Sequence, residues 1–109
     1  MPDIPAIEVE ELRDRLRAAE PPLVLDVREP WEAEICCLPD SVLIPLGSLP
    51  QRIAELPRDR AIVVHCHHGG RSARAVAFLR QQGFAEVFNL TGGIHDWACR
   101  VDSKVKTYG

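Results

Sequence analysis

Three short runs of this chain are apolar at every position: Leu23-Val24-Leu25, Val42-Leu43-Ile44 and Ala61-Ile62-Val63-Val64. A strand wetted on one side would alternate apolar and polar residues, so runs of this kind require burial on both faces. Segments with helical spacing lie between them. Val9, Leu12 and Leu16 share one stripe, with Glu11 and Arg15 at i,i+4 on the outer side. Leu49, Ile53 and Leu56 predict a helix over 49–56. Ala75, Val76, Phe78 and Leu79 predict a central one, with Gly83 as its C-cap. Short strands around Ile7 and Val87-Phe88, a short helix from Pro30 to Glu34, and a last helix over 94–99 complete the series. This alternation implies an α/β fold, a doubly wound, mainly parallel sheet with helices on both faces. The stretch from Val101 to Gly109 has little apolar periodicity and is expected to be irregular.

The run Val63-Val64-His65-Cys66-His67-His68-Gly69-Gly70-Arg71-Ser72 carries the chemistry. It reads as a buried strand delivering a cysteine into a tight loop that opens directly into a helix. In a parallel sheet, ligands sit beyond the C-terminal strand ends, which is where Cys66 falls. The unpaired N–H groups of the helix start, with Arg71, are expected to favour the thiolate and lower its pKa. Gly69 and Gly70 let the backbone curl into an anion-binding nest. Ser72 fits either a helix N-cap or a hydrogen-bond partner for the sulfur. His67 and His68 should be partly exposed in the loop and could tune which anion fits. His65 should point the opposite way from Cys66, as a hydrogen-bonded structural residue.

These motifs resemble the rhodanese family of sulfurtransferases. Cys66 and Arg71 with four residues between them, then Ser72 and a helix, resemble its active-site loop. Leu25-Asp26-Val27-Arg28-Glu29 with Trp31-Glu32 resembles the first signature, Ile44-Pro45-Leu46 the strand end after a variable loop, and Leu90-Thr91-Gly92-Gly93-Ile94 with Trp97 the C-terminal signature. The resemblance spans about Ile7 to Trp97. It implies a rhodanese-like sheet and a two-step relay, in which Cys66 takes the outer sulfur of a donor such as thiosulfate and yields it to cyanide or a thiol. His67, His68, Gly69, Gly70, Arg71 and Ser72 would then bind the donor, with Asp26 and Arg28 as supporting scaffold. The implied partners are a small sulfur-donor anion and a thiol or cyanide acceptor, which could be a protein. The chain departs from the family where Cys37 replaces a common His and Asp40 a common Gly. The second change suggests an altered turn.

Bulk properties narrow the field. The 109 residues suit one domain, with a core from about residue 7 to 100, and 46% hydrophobic and 27% charged residues are ordinary for a globular protein. A net charge of -3 argues against a nucleic-acid or acidic-membrane partner. No secretory signal or membrane-length apolar stretch is apparent, so a cytoplasmic setting is expected. The four cysteines read as free thiols, because adjacent Cys36 and Cys37 are too close for an unstrained bridge. Cys36, Cys37 and Cys99 are expected to be buried, although a redox partner for Cys66 near the variable loop is a second option. Trp31 and Trp97 are expected core aromatics. Zinc-type spacing is absent, so neither metal nor organic cofactor is expected.

Two other functions fit parts of the pattern. Cysteine-dependent phosphatases and arsenate reductases also place His-Cys before an anion loop, an Arg and a helix. The phosphatases put five residues between Cys and Arg, whereas this chain has only His67, His68, Gly69 and Gly70. A shorter cradle suits a single sulfur atom better than a tetrahedral phosphate. A non-catalytic binding module of the same fold is the other alternative, and the presence of both Cys66 and Arg71 weakens it.

Overall fold

A computed structural model describes residues 4–108; Met1 to Asp3 and Gly109, the last residue of the expected irregular tail, lie outside them. Five strands form one sheet in the order β1-β5-β4-β2-β3, comprising β1 (Ala6–Ile7), β2 (Leu23–Asp26), β3 (Val42–Leu43), β4 (Ile62–His65) and β5 (Val87–Leu90). Every pairing is parallel. The three central strands are the long ones, and β4 is buried at all four positions, as its unbroken apolar run requires. Val42 is exposed because β3 lies at the sheet edge.

Two apolar layers sandwich the sheet, as helices on both faces demand. Leu25, Ile62 and Val64 pack on one side with Leu49, Ala75, Val76 and Leu79, which come from α3 (Leu49–Arg52) and α4 (Gly70–Gln81). Val24 and Val63 pack on the other side with Val9, Leu12, Ile94 and Trp97, from α1 (Val9–Leu16) and α5 (Gly93–Arg100). The period-2 alternation along β4 therefore sends Cys66 to the α4 side and His65 away from it.

Local signals account for most element ends. Pro30 opens α2 (Pro30–Ile35) at its first turn. Gly83 follows α4 in the left-handed region at φ 94°. Its N–H bonds the Arg80 carbonyl and that of Phe84 bonds Leu79, which is a Schellman closure.

Several expectations need correction. The helix expected over 49–56 is a single α-turn, α3, followed by a 3₁₀ turn over Ile53–Glu55. Pro57 disfavours helical backbone at Leu56, although Leu49 and Leu56 are buried as the stripe required. Trp97 belongs to the core, but Trp31 is 58% exposed. On the short α2, Glu32 faces inward, and its neighbour one residue back, about 100° round the helix, faces water. At the turn where the family commonly has Gly, Asp40 itself holds the left-handed conformation at φ 55°. All four cysteines are free as expected, but Cys37 and Cys99 are exposed and Cys36 is half-buried. The tail is irregular, yet Val105 and Tyr108 pack against the α1/α5 layer.

Candidate active site

Cys66 immediately follows β4 and is 1% exposed. Its Sγ accepts the Gly69 N–H at 3.1 Å and the Ser72 N–H at 3.4 Å. The Ser72 amide is one of the first-turn donors of α4 that a helix cannot satisfy internally, so the sulfur takes the place of an absent carbonyl. Gly69 makes the curl, since its φ of 116° suits no side chain well. Gly70 is already helical, so only one of the two loop glycines is conformationally required.

Ser72 is not the N-cap, because Gly69 occupies that position and Ser72 is the third helical residue. Its Oγ lies 3.4 Å from Cys66 Sγ, with either atom able to donate. The same hydroxyl reaches the Gly69 carbonyl at 3.2 Å and Asn89 Oδ1 on β5, while Asn89 Nδ2 donates to that carbonyl at 3.3 Å. With one proton to give, Ser72 can serve Asn89 or an anionic sulfur, but not both fully.

The far side of the loop is pinned by α5. Its first turn donates from Ile94 to the Cys66 carbonyl at 2.9 Å and from His95 to the His67 carbonyl at 3.1 Å. The approach is so close that a Cβ on Gly93 would sit 2.4 Å from the Cys66 oxygen. This is the physical requirement behind Gly93, whereas a Cβ on Gly92 would meet the Asp96 side chain instead.

A chain of alternating charges runs under the loop. Asp26 and Arg28 form a buried two-point pair, with Nε–Oδ1 at 2.9 Å and Nη2–Oδ2 at 2.7 Å. Burial pushes the Asp26 carboxyl up, but Arg28 and His65 outweigh it and hold the pKa below its usual value. Arg28 also donates to the carbonyls of Glu32 and Cys36 and to the Tyr108 hydroxyl. Arg71 does not stand free over the loop. Its guanidinium grips both oxygens of the buried Glu32 at 2.9 and 3.0 Å, and that bond raises its pKa. Tyr108 donates to Glu32 at 3.2 Å and stacks on the His67 ring at 4.0 Å.

An open depression over the sulfur is lined by Cys66, His67, His68, Gly70, Arg71 and Arg74. The seven consecutive residues Cys66 to Ser72 singled out in the sequence thus gather at one strand end, with Asp26 and Arg28 beneath, and His68 exposed. His65 is fully buried, but neither ring nitrogen has a hydrogen-bond partner, contrary to expectation. Its burial pushes the pKa down to about 4. Glu32, Asn89 and Tyr108 escaped sequence reasoning as site residues. Asn89 left a signal as an amide inside an otherwise apolar strand, and Glu32 stood in the segment Trp31-Glu32 without a role assigned to it.

The fold and the loop define a class of protein, an α/β domain that offers a cysteine sulfur to main-chain N–H groups at the C-terminal edge of a parallel sheet. Comparison with known proteins narrows this. The family model for the rhodanese-like domain matches residues 8–99. A sulfurtransferase of Allochromatium vinosum is 42% identical over 92 residues, covering 84% of this chain and 86% of that protein. The thiosulfate sulfurtransferase GlpE of Pseudomonas syringae is 39% identical over 75 residues, 69% of this chain and 71% of that one. The crystal structure of a rhodanese-related protein from Thermoplasma volcanium matches with a TM-score of 0.82 at 36% identity, over 89% of this chain and 93% of that chain. Other relatives are longer, and this chain spans between 25% and 54% of them. The chain belongs to the rhodanese-like domain family and is a rhodanese-type sulfurtransferase. Among the described residues, no helix is long and apolar enough to cross a membrane.

Proposed function

We propose that Cys66 carries sulfane sulfur as a persulfide, loaded from thiosulfate or a similar small anion and passed to cyanide or a thiol, including one on a protein. The observation that carries this reading is the pair of main-chain N–H groups, from Gly69 and Ser72, directed at Cys66 Sγ. Such donors stabilise negative charge on the thiolate and can follow it onto the outer sulfur. In the first step the Cys66 thiolate attacks the sulfane sulfur of thiosulfate. A sulfur–sulfur bond forms to Sγ, the bond to the sulfonate sulfur breaks, and its electron pair leaves with sulfite. In the second, cyanide attacks the outer sulfur, thiocyanate departs, and the thiolate is restored.

The loop residues divide the remaining work. His67, His68, Gly70 and Arg71 line the depression that a donor must enter. Asp26 and Arg28 act below it as scaffold, because Arg28 ties β2 to α2 and to the tail. The grip of Glu32 on Arg71 speaks against phosphoryl chemistry, which needs that guanidinium free to embrace a tetrahedral anion. The reading is tested by intact mass after incubation with thiosulfate. A gain of one sulfur, about 32 Da, removed by cyanide and absent from Cys66→Ala, is expected of this covalent relay. No adduct on the unmutated chain would overturn thiosulfate as donor.

A further inference from the structure

The mouth of the loop carries a histidine cluster whose ring nitrogens take no part in the bond-making steps of the sulfur relay. His67 and His68 come from the loop and His95 from the first turn of α5. Each offers one ring nitrogen, and these atoms all lie within 4.8 Å of one another. The rings are neighbours, with His67 and His68 centroids 4.0 Å apart and His68 and His95 5.0 Å apart. Two nitrogens of the cluster, His67 Nε2 and His95 Nδ1, are buried without any hydrogen-bond partner. Buried polar atoms are normally paired, so two orphans in one cluster call for a missing partner.

We propose that His67, His68 and His95 form a binding site for one late first-row divalent cation of the Zn²⁺ class. A three-imidazole set without carboxylate selects such ions over Mg²⁺ or Ca²⁺. In a tetrahedral zinc site, with bonds of about 2.0–2.1 Å, ligand nitrogens sit about 3.4 Å apart. Closing to that spacing from up to 4.8 Å falls to exposed His68, the least enclosed of the three rings. Cys99 Sγ lies 3.8 Å from His95 Nε2, leaving Nδ1 as the open nitrogen of that ring. Sequence spacing hid the site because its third ligand lies on another element, brought in by the bonds between α5 and the loop carbonyls.

The test is a titration of Co²⁺ and Zn²⁺ into the reduced, full-length Cys66→Ala chain, followed by calorimetry and cobalt absorption. Expected is one equivalent, with d–d bands and no thiolate-to-cobalt charge transfer. His95→Ala and His68→Ala should each weaken binding at least about tenfold, since even outer partners of a metal site cost roughly 10–100-fold. His95→Ala leaves the main-chain bond to His67 intact, and circular dichroism checks its fold. Binding unchanged in both variants, a charge-transfer band lost in Cys36→Ser/Cys37→Ser, or no binding at millimolar Zn²⁺ would overturn the proposal. Since metal uptake is read without Cys66, its failure is distinct from a failure of sulfur transfer.

Discussion

His65 makes the acid stability of this fold a direct test of how β4 is buried. The residue ends the strand one position before Cys66, is fully buried, and has no partner for either ring nitrogen. Burial pushes its pKa from 6.5 to about 4, with the Asp26 carboxylate pulling upward and Arg28 downward. Between those values the unfolded chain binds a proton that the native fold refuses. Stability contributed by His65 is thus complete above pH 6.5 and is lost as pH falls through the window towards 4. The full loss is roughly 3 kcal/mol, and about 2 kcal/mol of it is gone by pH 5. Against a typical domain stability of about 5–15 kcal/mol, that is a large fraction. Urea unfolding, followed by the fluorescence of buried Trp97, measures it across this pH range. His65→Leu should flatten the dependence and cost little at neutral pH, because no hydrogen bond is broken. The Asp26 contribution falls at lower pH, since its pKa is depressed below the carboxylate value of 3.8. Equal slopes for the unmutated chain and His65→Leu between pH 6.5 and 4 would refute the argument.

Three further outcomes follow from the site. Gly93→Ala would put a Cβ 2.4 Å from the Cys66 oxygen and 2.6 Å from that of His67, so denaturation should show a loss of about 3 kcal/mol or more, along with persulfide loading. Gly70→Ala, whose Cβ meets nothing within 4 Å, should stay within about 1 kcal/mol, and similar losses in both would refute steric control. Glu32→Gln releases Arg71 and removes a negative charge near the donor's approach, so thiosulfate KM should fall roughly threefold to tenfold, about 1 kcal/mol of attraction; an unchanged or higher KM would count against the clamp. Asp40→Gly relieves a left-handed residue at φ 55° and should raise stability by about 0.5–1 kcal/mol with sulfur transfer unaltered, whereas a lower Tm would show that the aspartate has another task.

The loop also explains why this site is built from two helix ends rather than one. The start of α4 supplies N–H groups to the Cys66 sulfur, while the start of α5 supplies them to the Cys66 and His67 carbonyls. Every loop polar group so held is one that a shift of the sulfur would otherwise disturb. Asn89 extends the restraint to β5 by holding both Ser72 and the Gly69 carbonyl.

Sequence alone determined the frame and the nucleophile's position. The unbroken apolar runs of β2 and β4 mark strands buried on both faces, and Gly69, Gly83 and the prolines mark turns through their own backbone limits. These are local properties, so they can be read without knowing what lies nearby. The tertiary structure decided which side chains meet. Glu32 and Arg71 are separated by 39 positions, and although Trp31-Glu32 stands in a signature segment, nothing in the sequence pairs Glu32 with Arg71 until the sheet order sets α2 beside α4. The same folding turned Trp31 outward, carried Tyr108 onto His67, and brought His95 to the loop histidines. Pairings of this kind depend on Coulomb attraction and hydrogen bonding over a few ångströms, and only strand order and helix packing decide which residues come that close.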